Sequence, residues 1–171
     1  LQLSARIRAR SHFSCELPLK LRLCTYSFLS SSRKNLKTNT ILLYIKKKTK
    51  AINFLYSKGI TEISIIGATG KREDHSLGNI SLLIDYMQQG INAKIFTDYG
   101  VFIPVTGNAK VLVNPKQKVS IFNYNCTEMS AIGLKYPIRA FNALWQGTLN
   151  EALNNEIIIS TNGQYLLYLA H

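Results

Sequence analysis

The stretch GATGKREDH, residues 67–75, sets two glycines, two bases, two acids and a histidine between the apolar run EISII and the run SLGNISLLIDYM. A glycine at the carboxyl end of a strand lets the backbone turn sharply and approach a ligand closely. The helix after such a turn offers unpaired N–H groups and a positive dipole end, which suit a phosphate. Lys71 and Arg72 carry the charge to neutralise phosphates, Arg72 through two parallel hydrogen bonds. Glu73 or Asp74 supplies the carboxylate oxygen that Mg2+ prefers, an ion that usually arrives with nucleotide phosphates. Two familiar phosphate motifs do not fit. A P-loop would need a glycine at Ile65 and a hydroxyl residue at Arg72, and the spacing Gly67-x-x-Gly70 is not GxGxxG. The bland alternative is that the glycines make the turn, Asp74 caps the helix and the bases are solvated.

The flanking sequence says what must position this turn. TKAINFLYSKG reads as a short helix with Ala51, Phe54, Leu55 and Lys58 at helical spacing and Gly59 as its C-cap. TEISIIGA reads as a strand ended by Gly67. HSLGNISLLIDYMQQG reads as a second helix, with Leu77, Ile80, Leu83, Ile84 and Met87 on one face and Gly90 closing it. NAKIFTD is a further strand, and this order implies a parallel sheet with crossover helices. After about Asp98 the runs GVFIPVTG, KVLVN, QKVSIFNYN, EIIIST and QYLLYLA are short, extended and broken by Gly, Asn, Pro and Lys. Thr161-Asn162-Gly163-Gln164 predicts an Asn-Gly hairpin between the last two. The expected fold class is α/β plus β: a partial doubly wound parallel α/β domain at residues 49–99, then a small antiparallel β-sandwich at residues 100–171.

Charge separates residues 1–48 from the rest. Of the 21 Lys and Arg and the nine acids, residues 1–50 hold 12 bases and one acid, Glu16, so the net charge of +12 belongs almost wholly to them. This acid-poor, Ser-rich segment reads as a targeting segment, a basic binding arm, or sequence foreign to the fold, such as an out-of-frame start. Aromatics are not interleaved with the bases in a nucleic-acid-binding motif, which argues against that partner. No apolar run is long enough to span a bilayer, so no membrane is expected. Cys15, Cys24 and Cys126 are odd in number without CxxC spacing, which fits a reduced, cytoplasmic setting better than a disulfide framework or zinc site.

The full string GATGKREDHSLGNISLL resembles the signature of thiamine pyrophosphokinases, a G-x-x-G-x-R-x-D-H-x-L-x-N pattern matched by Gly67, Gly70, Arg72, Asp74, His75, Leu77 and Asn79. GLKYPI, residues 133–138, is similar to the family's Gly-Leu-Lys-Tyr-Pro segment, and Gly147-Thr148-Leu149-Asn150-Glu151 to its tail. The resemblance covers about residues 49–171. It implies transfer of pyrophosphate from ATP to thiamine, giving thiamine diphosphate and AMP, by a homodimer with active sites between subunits. It implies Arg72, Asp74 and His75 as catalytic, Asp74 as the Mg2+ ligand, and Gly67, Gly70, Lys71, Arg72 and Asn79 as nucleotide-binding. Tyr136, Trp145, Thr148 and Asn150 are implied as thiamine-binding, the two aromatic rings stacking on the flat thiamine rings. Core packing is the competing reading for both rings, and the expected one for Trp145.

The upstream part departs from the family. Its two close aspartates and a later Thr-Asp pair have no counterpart before Thr49, where Lys46-Lys47-Lys48 occupy the place of the pair. Catalytic competence is therefore an open question of the sequence. The alternatives are a noncatalytic thiamine-binding or dimerisation module and an inactive fragment.

Overall fold

The computed structural model describes residues 41–44 and 48–171. The targeting, binding-arm and foreign-sequence readings of the basic segment lie almost wholly outside the described residues. The first described element, strand β1, Ile41–Tyr44, lies ahead of the expected domain start at Thr49 and pairs in parallel with β2, Glu62–Ile66. Helix α1, Lys48–Ser57, connects them, and helix α2, Glu73–Gln88, leads from β2 to the parallel strand β3, Asn92–Phe96.

Period decides what these elements bury. Ile63 and Ile65 alternate along β2, Ala93 and Ile95 along β3, and all four are buried with Ala51, Ile52 and Leu55 of α1. From α2, Leu83, Ile84 and Tyr86 join the same core. Full burial of each large aliphatic side chain contributes roughly 1.5–3 kcal/mol. Leu77 departs from the expected apolar face of α2: it is 61% exposed.

The second half is antiparallel. Its strands are β4 (Gly100–Thr106), β5 (Ala109–Leu112), β6 (Lys118–Asn123), β7 (Met129–Ile132), β8 (Asn150–Glu151), β9 (Glu156–Thr161) and β10 (Gln164–Ala170). Only three of them form a sheet of their own. β4 pairs with β3, so one mixed sheet runs β1-β2-β3-β4-β10-β6-β8 through both halves, and β5-β9-β7 forms a second sheet. β10 serves two cores by alternation. Leu166 joins the core beneath the helices, whereas Tyr165, Leu167 and Leu169 join a second core with Ile121, Ile157 and Ile159.

The Asn162-Gly163 junction is not a hairpin. β9 pairs with β5 and β7, and β10 with β4 and β6, so the turn carries the chain from one sheet to the other. A type I′ hairpin turn needs positive φ at both central residues, and neither Asn162 nor Gly163 has it. The Asn162 side chain instead accepts from the N–H groups of Thr127 and Glu128, both at 3.1 Å. Gly163 is needed for space, since a Cβ there would lie 2.7 Å from the Cys126 backbone.

Candidate functional site

The turn at residues 67–72 sits at the carboxyl end of β2, where ligands of open α/β sheets bind. Gly67 and Gly70 have φ of 63° and 89°, left-handed conformations that a side chain disfavours. Asn79, one turn and a half into α2, donates from Nδ2 to the Ala68 carbonyl at 2.7 Å and fixes the turn against the helix. Asn79 thus acts on the turn through its backbone.

Arg72, and not Asp74, is the N-cap residue of α2, and its side chain makes no capping bond. Its guanidinium instead grips Asp74 twice, Nε to Oδ1 at 3.1 Å and the terminal nitrogen to Oδ2 at 2.7 Å. That grip holds the Asp74 carboxyl below its usual range. His75 stands 4.0 Å from the same carboxylate. Gly67, Gly70, Lys71, Arg72, Asp74 and His75 are all exposed, so the structure brings them together on one open turn. Among the described residues, no three of His, Cys, Asp and Glu converge on one point. Glu73 and Asp74 each offer an exposed carboxylate on the first turn of α2, the ligand type that Mg2+ prefers.

The second candidate region is a cavity of about 680 Å3 beside β8, lined by Tyr136, Arg139, Phe141, Gln146, Thr148, Leu149 and Asn150 among others. Asn150 is 6% exposed and builds the wall. Its Oδ1 accepts from the N–H of Tyr136 at 3.1 Å and of Glu151 at 2.9 Å, and its Nδ2 donates to the Tyr136 carbonyl at 2.8 Å. The chain next to it is held open by Leu149, whose φ of 64° is a left-handed conformation that costs a leucine about 1 kcal/mol. A 3-10 turn, Leu144–Gly147, closes one side and packs on β6. Gly147 is required there, because a Cβ would meet the Ile121 carbonyl at 1.7 Å.

Tyr136, Thr148 and Asn150 therefore share one cavity, although the Thr148 hydroxyl already donates to the Trp145 carbonyl at 2.7 Å. Trp145 is not a core residue: its ring, on the 3-10 turn, is 74% exposed beside the cavity. Lys135 lies 5.6 Å above the Tyr136 ring. Arg139 and Gln146 were not anticipated as site residues; the sequence signal was only their place between the two matched motifs. An apolar groove of about 230 Å3, lined by Leu77 and Ile80 of α2 and by Phe122 and Leu144, lies between α2 and the 3-10 turn.

Fold and sites together define a mixed-sheet protein with few helices, an open glycine turn at the carboxyl end of β2 and a separate aromatic cavity. Residues 44–95 match the family profile described as thiamin pyrophosphokinase, catalytic domain, and residues 100–168 that described as thiamin pyrophosphokinase, substrate-binding domain. The chain belongs to the thiamin pyrophosphokinase family. Its fold is similar to that of thiamine pyrophosphokinase from Bacillus subtilis, at 22% identity and TM-score 0.62 over 71% of this chain and 61% of that one. It is similar also to the Geobacillus thermodenitrificans protein, at 24% identity and TM-score 0.57 over 75% and 64% of the two chains. For the Candida albicans protein the figures are 13%, 0.56, 71% and 50%. The chain thus spans less than two thirds of the length of each of these three. No curated protein sequence matches it. Among the described residues no helix is long and apolar enough to cross a membrane.

Proposed function

We propose that the chain transfers pyrophosphate from ATP to the hydroxyl of thiamine, giving thiamine diphosphate and AMP. The observation that carries this reading is the exposed Arg72–Asp74 pair on a glycine turn ahead of an uncapped helix. Displacement at phosphorus needs positioning and charge neutralisation more than a covalent nucleophile. An exposed ion pair is worth about 1 kcal/mol or less, so Arg72 exchanges Asp74 for a phosphate at little cost. Lys71, the free N–H groups at the start of α2 and the backbone released by Gly67 and Gly70 complete the phosphate cradle. Asp74, ionised and released, orients the thiamine hydroxyl or holds Mg2+, and His75 supports it. Bound there, Mg2+ would neutralise charge on the phosphates.

Thiamine occupies the cavity, against Tyr136 and with the exposed Trp145 ring available to its thiazolium. β2 and β8 stand five positions apart in the sheet order, roughly 24 Å at ordinary strand spacing. That distance favours a homodimer in which the turn of one copy serves the cavity of the other. A doubly wound sheet completed beyond β1 and a cytoplasmic setting belong to the same reading.

The test is release of AMP from ATP and Mg2+ with and without thiamine, with the Bacillus subtilis enzyme as control. Thiamine-dependent AMP, lost in Arg72→Gln, is the expected outcome. No AMP beside an active control would sink catalysis in this chain. The second reading, a noncatalytic thiamine-binding module, draws on the cavity being built without help from the turn, and measurable turnover removes it.

A further inference from the structure

We infer that the cavity beside β8 is selective for anions and that Arg139 makes it hold the diphosphate ester of thiamine more tightly than thiamine itself. This rests on reading the cavity as the thiamine site and adds a self-limiting property to it. None of the nine lining residues is an Asp or Glu, and Arg139 is their one permanent charge. Its exposed guanidinium has no hydrogen-bond or ion-pair partner among the described residues. Gln146 spends Oε1 on the N–H groups of Asn142 and Ala143, at 3.2 and 3.3 Å, which leaves Nε2 as a donor. Asn150 has both ends of its amide engaged. Apart from the Tyr136 hydroxyl and the Thr148 hydroxyl, whose proton is spent on the Trp145 carbonyl, the side-chain polar groups left to a ligand are thus donors.

The surroundings have the same sign. Lys118 and Lys135 both converge on the carboxylate of Glu151, and Lys116 is near enough to act on it. Free thiamine brings a thiazolium cation to this rim and meets like charge. Its diphosphate brings several acceptor oxygens and negative charge, which a guanidinium pairs with through two parallel hydrogen bonds. The product is therefore held more tightly than the substrate, and accumulated product occupies the site.

Titration calorimetry with thiamine, thiamine diphosphate and inorganic pyrophosphate tests this on the full chain, on Arg139→Gln and on Arg139→Lys. Wild type should bind thiamine diphosphate more tightly than thiamine, and Arg139→Gln should erode that preference about tenfold, the scale of one lost charge-assisted bond. Its thiamine affinity should stay the same or rise, which unfolding would not produce. Arg139→Lys should retain part of the preference, and added salt should reduce it in wild type. Thiamine binding at least as tightly as its diphosphate, or a preference unmoved in Arg139→Gln, overturns the inference and leaves the thiamine reading standing. Wild type binding neither heterocycle overturns both.

Discussion

One amide joins Asn150 to Tyr136 at both ends, accepting from the Tyr136 N–H at 3.1 Å and donating to the Tyr136 carbonyl at 2.8 Å. Two motifs fourteen residues apart in the chain are thereby fixed face to face, and the cavity wall exists because of it. Asn150 matters here as a brace, whatever else it touches.

Asn150→Ala should destabilise the fold by about 2 kcal/mol, since it strands polar groups that the amide now satisfies. The urea midpoint should fall with the slope unchanged. Asn150→Asp keeps the acceptor and loses the donor, so it should fall between wild type and Asn150→Ala. Equal midpoints for all three would mean that solvent already serves the Tyr136 backbone.

Much of this was legible in the sequence, for reasons that particular residues make plain. The 3.6 period of Ile80, Leu83, Ile84 and Met87 marks α2, and the apolar run of β2 marks a parallel strand, because both patterns are local. The pairing of β9 and β10 was not legible. Asn162-Gly163 gives the composition of a hairpin, and whether two strands share a sheet is decided by contacts far away, here Thr127 and Cys126. β7 and β8 went unseen as strands because four and two residues cannot display a period. In the site, the glycine turn was legible from composition, whereas Trp145 was expected inside and lies outside. A short 3-10 turn offers no periodicity to say which way a ring faces. Arg139 was missed because a single arginine in a loop has no signature until a cavity forms around it.

Asn79 is the corresponding brace for the glycine turn after β2. Removing its bond to the Ala68 carbonyl should cost about 1 kcal/mol. The larger effect should be local. In Asn79→Ala the amides of residues 69–71 should exchange faster, and affinity for a nonhydrolysable ATP analogue should fall several-fold. Thiamine binding should hold, because the cavity beside β8 contains none of the turn's residues. A parallel loss of thiamine affinity would show that the two regions are coupled in one chain.

Tyr165 points the other way, toward a gain. It is fully buried, and its hydroxyl has no hydrogen-bond partner among the described residues. Burial pushes its pKa upward, the behaviour of a polar group in apolar surroundings. Tyr165→Phe removes the unmet hydroxyl and keeps the ring, so stability should rise by about 1 kcal/mol. A lower urea midpoint in Tyr165→Phe would reveal a partner for the hydroxyl, such as a buried water.

Glu151 supplies a dependence on pH. The Lys118 ammonium, bonded to its carboxylate, holds the Glu151 pKa below the ordinary 4.5, with Lys135 and Lys116 adding to the effect. The folded state thus binds this proton more weakly than the unfolded chain does. The stabilisation from Glu151 is complete above pH 4.5 and is lost as pH falls through the depressed folded value. Asp74, depressed by Arg72, adds a second acid-sensitive contribution on the turn, so wild type alone cannot separate the two. Glu151→Gln keeps the shape and removes the titration. Urea midpoints measured from pH 7 downward should therefore fall less steeply below pH 4.5 in Glu151→Gln than in wild type. The two slopes should agree at neutral pH, where neither protein changes protonation at this position. Identical slopes throughout the acid range would mean that the three lysines do not favour the folded carboxylate over the unfolded one.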